Sequence, residues 1–97
     1  MSDAKRSRAR FLRLRLYVAG GAPNSLRAIA NATAVCGEHF AAEHELEIVD
    51  MMETPDRALA DGIIVTPTLL RLSPPPIRRV IGDLSDTKRL LQSLGGK

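Results

Sequence analysis

The chain has 97 residues, room for one domain, and its 44% hydrophobic and 26% charged composition excludes a wholly disordered polymer. No apolar run approaches the roughly 18 residues that cross a bilayer, and the lone cysteine, Cys36, cannot close an internal disulfide. The formal net charge of +3 is uneven: residues 1–15 hold six of the 14 basic residues and one acid, whereas residues 16–97 hold eight bases and ten acids. Residues 1–10 therefore read as a basic flexible arm and residues 11–97 as a single domain. The first 15 residues have no apolar stretch of the signal-peptide kind, so a cytoplasmic location is expected. With three aromatics (Phe11, Tyr17, Phe40) and no RNA-binding motif, the composition argues against nucleic-acid binding as the main function.

Leu12, Leu14, Leu16 and Val18 alternate with Arg13, Arg15 and Tyr17, the period of a half-buried strand. The turn cluster Ala19–Asn24 follows, and Asn24 or Ser25 is placed to cap a helix with Leu26, Ile29, Ala30, Thr33, Cys36 and Phe40 on its inner face. Residues 45–49 predict a second strand. Thr54-Pro55 predicts the start of a short helix over 55–61, with Gly62 at its C-terminal end. Residues 68–72 form a third strand, which Ser73-Pro74-Pro75-Pro76 breaks, and residues 77–81 a fourth, ended by Gly82-Asp83. Leu84, Thr87, Leu90, Leu91 and Leu94 mark the inner face of a last helix stopped by Gly95-Gly96.

The order β-α-β-α-β-β-α predicts an α/β fold, a four-stranded mixed sheet with helices on both faces, in the order of the thioredoxin fold. A thioredoxin-type redox site needs Cys-x-x-Cys after the first strand, where the helix N-terminus stabilises a thiolate. Ala22-Pro23-Asn24-Ser25 stands there instead, with no sulfur. Cys36 falls three turns into the helix on its apolar face and reads as a small buried hydrophobe. His39 and His44 lack the companions of a metal site and are expected in solvent. No nucleophile–base pair or phosphate loop is present, so neither an enzyme nor a cofactor is expected. Thr66-Pro67, just before an internal strand, is expected to be cis in this fold, and together with Pro74, Pro75 and Pro76 it supplies candidate slow isomerisation steps.

Several stretches resemble the KaiB circadian-clock proteins. These are Leu16-Tyr17-Val18-Ala19-Gly20, Pro23-Asn24-Ser25, Arg27-Ala28, Val49-Asp50, Thr66-Pro67-Thr68-Leu69, Pro74-Pro75-Pro76-Ile77-Arg78-Arg79 and Ile81-Gly82-Asp83-Leu84-Ser85, in one register from about Leu12 to Leu94. The resemblance implies a non-enzymatic partner protein that binds the N-terminal ATPase domain of a KaiC-like ring. It also implies two accessible folds: a thioredoxin-like binding state, and a ground state that assembles as a homo-oligomer and has a rearranged C-terminal half from about Met51. The thioredoxin-like state is the expected resting fold here. Implied partner contacts are Arg27, Arg71, Arg78, Arg79 and Asp50. Pro67, Pro74, Pro75, Pro76 and Gly82 are the implied conformational switch. Glu45 and Glu47 stand in strand two where the cyanobacterial pattern has Ala and Lys, which argues against a KaiA-type partner, and Gly95-Gly96-Lys97 stands after the last helix where the cyanobacterial pattern has an acidic tail, so no role of such a tail is expected. These departures suggest a divergent, non-cyanobacterial member. The alternative function is a thioredoxin-like binding module for a kinase or stress-signalling partner.

Overall fold

The computed structural model describes residues 11–95, so the expected basic arm over residues 1–10 lies outside the described residues. The elements are β1 (Leu12–Val18), α1 (Pro23–His39), β2 (His44–Asp50), α2 (Pro55–Ala60), β3 (Thr68–Ser73), β4 (Arg78–Ile81) and α3 (Thr87–Leu94). The strands form one sheet in the order β2-β1-β3-β4. β1 runs parallel to β2 and antiparallel to β3, and β3 and β4 form the expected antiparallel hairpin.

Each sheet face carries its own core. Leu12, Leu14, Leu16 and Val18 of β1, Leu69 of β3, Ala28, Ala32, Val35 and Cys36 of α1, and Leu90 and Leu94 of α3 make the larger one. On the other face, Tyr17, Val49, Ala58, Ile63 and Leu70 pack together under α2. Alternation places Tyr17 on the polar side of β1, yet it is 0% exposed. That face is not open to water, because α2 covers it. The central strand is therefore buried on both sides at its C-terminal half, as strands between two helical layers are.

α1 departs from expectation in phase. Its buried stripe is Ser25, Ala28, Ala32, Val35 and Cys36, one position off the stripe read from the large apolar residues. Leu26, assigned to the core, is 56% exposed, and Thr33 is exposed. The helix also starts earlier, with Ala22 at the N-cap and Pro23 in the first turn, where the missing proline N–H has no partner to lose. Neither Asn24 nor Ser25 caps it. The Ser25 hydroxyl turns inward instead and accepts from Ala19 N–H at 3.0 Å. Small side chains suit the buried stripe because they let the helix lie close to the sheet.

α2 begins after Thr54, although the Thr54 hydroxyl makes no capping bond, and Gly62 follows its C-cap at φ +69°. In α3 the Asp86 carboxylate accepts from Arg89 N–H, and Gly95 ends the helix in the left-handed conformation. Thr87 is exposed rather than inner. Leu84 is buried but precedes the helix, at φ +63°. His44, expected in solvent, is half-buried, with Nδ1 3.4 Å from Phe40 O.

Candidate functional site

The residues expected to carry partner binding do not form one cluster. Arg27 lies on the first turns of α1, exposed, with its guanidinium on Asn24 Oδ1 and its Nε 3.5 Å from Asp83 Oδ2. Asn31 Nδ2 donates to Asp83 O at 2.8 Å, so α1 and the β4–α3 connection are fastened at this point. Hydrogen bonds from Ser85 and the neighbouring Arg27 hold the Asp83 carboxyl below the usual carboxylate range. Asp50, at the end of β2, is half-buried. Its Oδ1 accepts from Gly20 N–H at 3.0 Å and Met52 N–H at 2.9 Å. That oxygen ties the β1–α1 turn to the β2–α2 turn.

Arg71 is the clear correction. It is 7% exposed and is not a surface contact. Its Nη1 donates to Ser93 O at 3.2 Å and its Nη2 to Pro76 O at 2.8 Å, while Nε is buried without a partner among the described residues. Burial, reinforced by the nearby Arg78 charge, pushes its pKa down. Position on β3 decides this: Arg71 points into the seam between the proline segment and α3, where its long cationic side chain donates to a carbonyl on each side.

Arg78 and Arg79 stay exposed on β4. Arg79 reaches back to α2, donating to Asp61 O at 2.7 Å and Gly62 O at 3.3 Å. A cation there completes the helix C-terminus. Among the described residues, neither Arg78 nor Arg79 has a carboxylate within ion-pair distance. Pro67 is buried beneath this region and Gly82 adopts φ +116°, donating its N–H to Pro67 O at 3.0 Å. The Thr66–Pro67 bond is cis as expected, and Ser73–Pro74 and Pro75–Pro76 are cis as well. Pro74 is half-buried and Pro75 and Pro76 are exposed in the β3–β4 turn.

Sequence reasoning misses a polar network under α2. Glu47 receives Arg15 Nε at 2.9 Å and a two-pronged contact from Arg57, at 2.7 and 3.0 Å. Arg15 Nη1 also reaches Asp61 Oδ2 at 2.9 Å, and the Tyr17 hydroxyl donates to the same oxygen at 2.6 Å. Hydrogen bonds from Arg57 and then Arg15 hold Glu47 down to about 2, and the Tyr17 hydroxyl bond depresses Asp61. Arg15 faces Glu47 across the parallel ladder and Arg13 faces Glu45, 3.6 Å away. Two charges counted with the basic N-terminus are therefore spent within the sheet. Equally, Glu45 and Glu47 are offset by arginines, so their argument against a KaiA-type partner rests on less charge than the sequence suggests. The signal, opposite charges on adjacent strands, becomes visible only once the register is known.

Nothing in this arrangement resembles a catalytic constellation. Cys36 is buried, and burial pushes its thiol pKa up, away from the reactive thiolate. Among the described residues no group of three His, Cys, Asp or Glu could hold a metal ion, and no helix is long and apolar enough to cross a membrane.

Residues 15–95 match the family model described as the KaiB domain. The chain belongs to the KaiB family. The circadian clock oscillator protein KaiB of Prochlorococcus marinus (strain MIT 9313) is 46% identical over 81 residues, covering 84% of this chain and 68% of that protein. The circadian clock protein KaiB3 of Synechocystis is 44% identical, covering 84% of this chain and 79% of its own length. In structure, this KaiB-family chain is similar to the N-terminal domain of Synechococcus elongatus SasA, with TM-score 0.71 and 23% identity over 90% of this chain and 86% of that one. It is equally similar to Fasciola hepatica thioredoxin, with TM-score 0.73 and 16% identity over 99% and 89%. These two likenesses show the thioredoxin-like fold. The KaiB match spans every residue singled out above as a contact or a switch.

Proposed function

We propose that this protein is a non-enzymatic clock or timing component that docks on a KaiC-like ATPase ring and modulates its phosphorylation and ATPase cycle. The observation that carries this reading is the KaiB match over residues 15–95, with circadian-clock relatives at 44–46% identity. Arg27, Arg78 and Arg79 are the proposed contacts. Each is exposed, and the arginine fork suits carboxylates. Arg71 and Asp50 instead hold the framework that presents them. The proposal requires no KaiA-type partner.

Control follows from population shift. The described fold is the binding state, and exchange with an oligomeric alternative built from the half after Met51, pivoting on Pro67, Pro74–Pro76 and Gly82, lowers apparent affinity by the fraction of binding-competent molecules. If that fraction were about 1%, the loss would be about 2.7 kcal/mol.

The test is co-elution of this protein with the KaiC-like ATPase of the same organism, after incubation with ATP and, separately, with a non-hydrolysable analogue. A complex that appears slowly and only with ATP supports a hydrolysis-gated adaptor. One that forms at once in both keeps the partner and removes the gate, and no complex in either overturns the reading. Arg78→Ala with Arg79→Ala is expected to weaken the complex at least about tenfold, and unchanged binding removes these two contacts.

A further inference from the structure

β4 is an edge strand. Its register pairs Ile81 with Thr68, Val80 with Leu69, Arg79 with Leu70 and Arg78 with Arg71, and Gly82 N–H bonds Pro67 O. In an antiparallel ladder, successive residues alternate in the direction of their backbone groups. With Gly82 aimed at β3, Val80 also bonds inward, and the N–H and C=O of Arg79 and Ile81 point away from the sheet. An edge of this kind is a template for another strand unless it is blunted. β4 is short and carries two arginines, but among the described residues no proline or bulge interrupts Arg79 to Ile81.

The two faces beside this edge differ. On the α2 face, Ile64, Val65, Thr68, Gly62, Arg79 and Ile81 line a hollow of about 270 Å³. Ile64 is 91% exposed and Ile81 64% exposed. Exposed branched apolar side chains lining one hollow beside an open edge mark an interaction surface rather than scattered surface residues. Arg79 lies across this hollow with its guanidinium on the Asp61 and Gly62 carbonyls. Arg78 stands on the opposite face, exposed, with no carboxylate partner among the described residues.

We propose that the β4 edge takes an extended acidic segment of a partner protein as a fifth strand, its apolar side chains entering the Ile64–Val65–Ile81 hollow and its alternate carboxylates meeting Arg78. The period of two along an added strand matches the two unlike faces. Charge selects the occupant: an antiparallel second copy centred on Arg79 would set that cation directly against its counterpart, and one centred on Val80 would leave the two diagonal neighbours, and like charges so placed across strands are destabilising. This inference rests on the partner-binding reading above and names the surface and the chemistry that reading leaves open.

The experiment is an amide NMR titration of the full chain with a blocked peptide of about eight residues alternating valine and glutamate, with a valine–lysine peptide as control. Saturable shifts confined to residues 62–65 and 77–82, with the lysine peptide inert, are expected. Ile81→Lys and Ile64→Asp alter exposed side chains, so both variants are expected to keep the native spectrum while weakening the peptide at least about tenfold, as is Arg78→Glu. Equal binding of both peptides, shifts centred on β2, or no saturable shift overturns the proposal. Concentration-dependent dimerisation abolished by Ile81→Lys, without peptide binding, also overturns it by assigning the edge to a second copy. The same Ile81→Lys protein is then tested for co-elution with the KaiC-like ATPase. Lost peptide binding with an intact ATPase complex overturns the edge as the partner surface and leaves the proposed function standing. Peptide binding by a wild-type protein that forms no ATPase complex supports the edge site while the proposed function falls.

Discussion

Arg71 shows how one side chain's position outweighs its chemistry. A cation inside a protein is tolerated only where carbonyls or carboxylates replace its water. Here the Pro76 and Ser93 carbonyls do so, and through them Arg71 joins β3, the proline turn and α3. Arg71→Ala removes both bonds and strands two acceptors, and is expected to destabilise the fold by about 2–3 kcal/mol. Urea denaturation measures this, and a loss below about 0.5 kcal/mol would mean that the seam is held by other contacts. Arg71→Lys is expected to recover only part of the loss, because an ammonium lacks the planar fork that spans the two carbonyls.

At the scale of elements, α2 is the smallest helix and depends most on polar contacts. It has six residues, and Ala58 is its buried one. A helix this short does not hold itself together in water. The Arg57–Glu47 fork, Arg15, Asp61 and the Tyr17 hydroxyl fasten it to β1 and β2. Glu47 sits at about 2 in the folded protein against an ordinary 4.5. A depressed folded pKa contributes stability that is present above the unfolded value and lost as pH falls from about 4.5 towards 2. The Glu47 side chain is 40% exposed, so solvent screening keeps the effect small. Glu47→Gln is expected to cost about 1 kcal/mol near neutral pH and to flatten the acid limb of the stability profile. Urea midpoints measured across that range check it, and an unchanged acid limb in the variant would assign the titration to other carboxylates.

Across the whole molecule, the two cores are unequal. The larger, between the sheet and the helices α1 and α3, contains most of the buried leucines, whereas the smaller closes under α2. Local stability follows the depth of apolar burial. The amides of α2 and of residues 62–66 are therefore expected to exchange with deuterium before those of β1, which lies between two strands and is buried on both faces near its end. Equal protection of the two segments would mean that the fold opens only as a unit. Early exchange would place the weak part of the molecule within the half proposed to rearrange and beside the hollow at β4.

The order of elements, the hairpin, the helix ends at Gly62 and Gly95, the burial of Cys36 and the family were legible in the residues themselves. Strand period, proline and glycine placement and motif spacing are local properties, and they survive folding unchanged. The phase of α1 was not legible, because large residues such as Leu26 draw the eye to one stripe while close approach to the sheet selects the small one containing Ser25, Ala28 and Ala32. Tyr17 alternates as a surface residue and is buried, since a second layer covers its face. Arg71 and Arg78 are cross-strand partners on adjacent strands, and one is interior while the other is exposed. Charge pairing and burial belong to positions in space, and only the tertiary structure sets which strand edges remain open and which arginines still have a charge to offer.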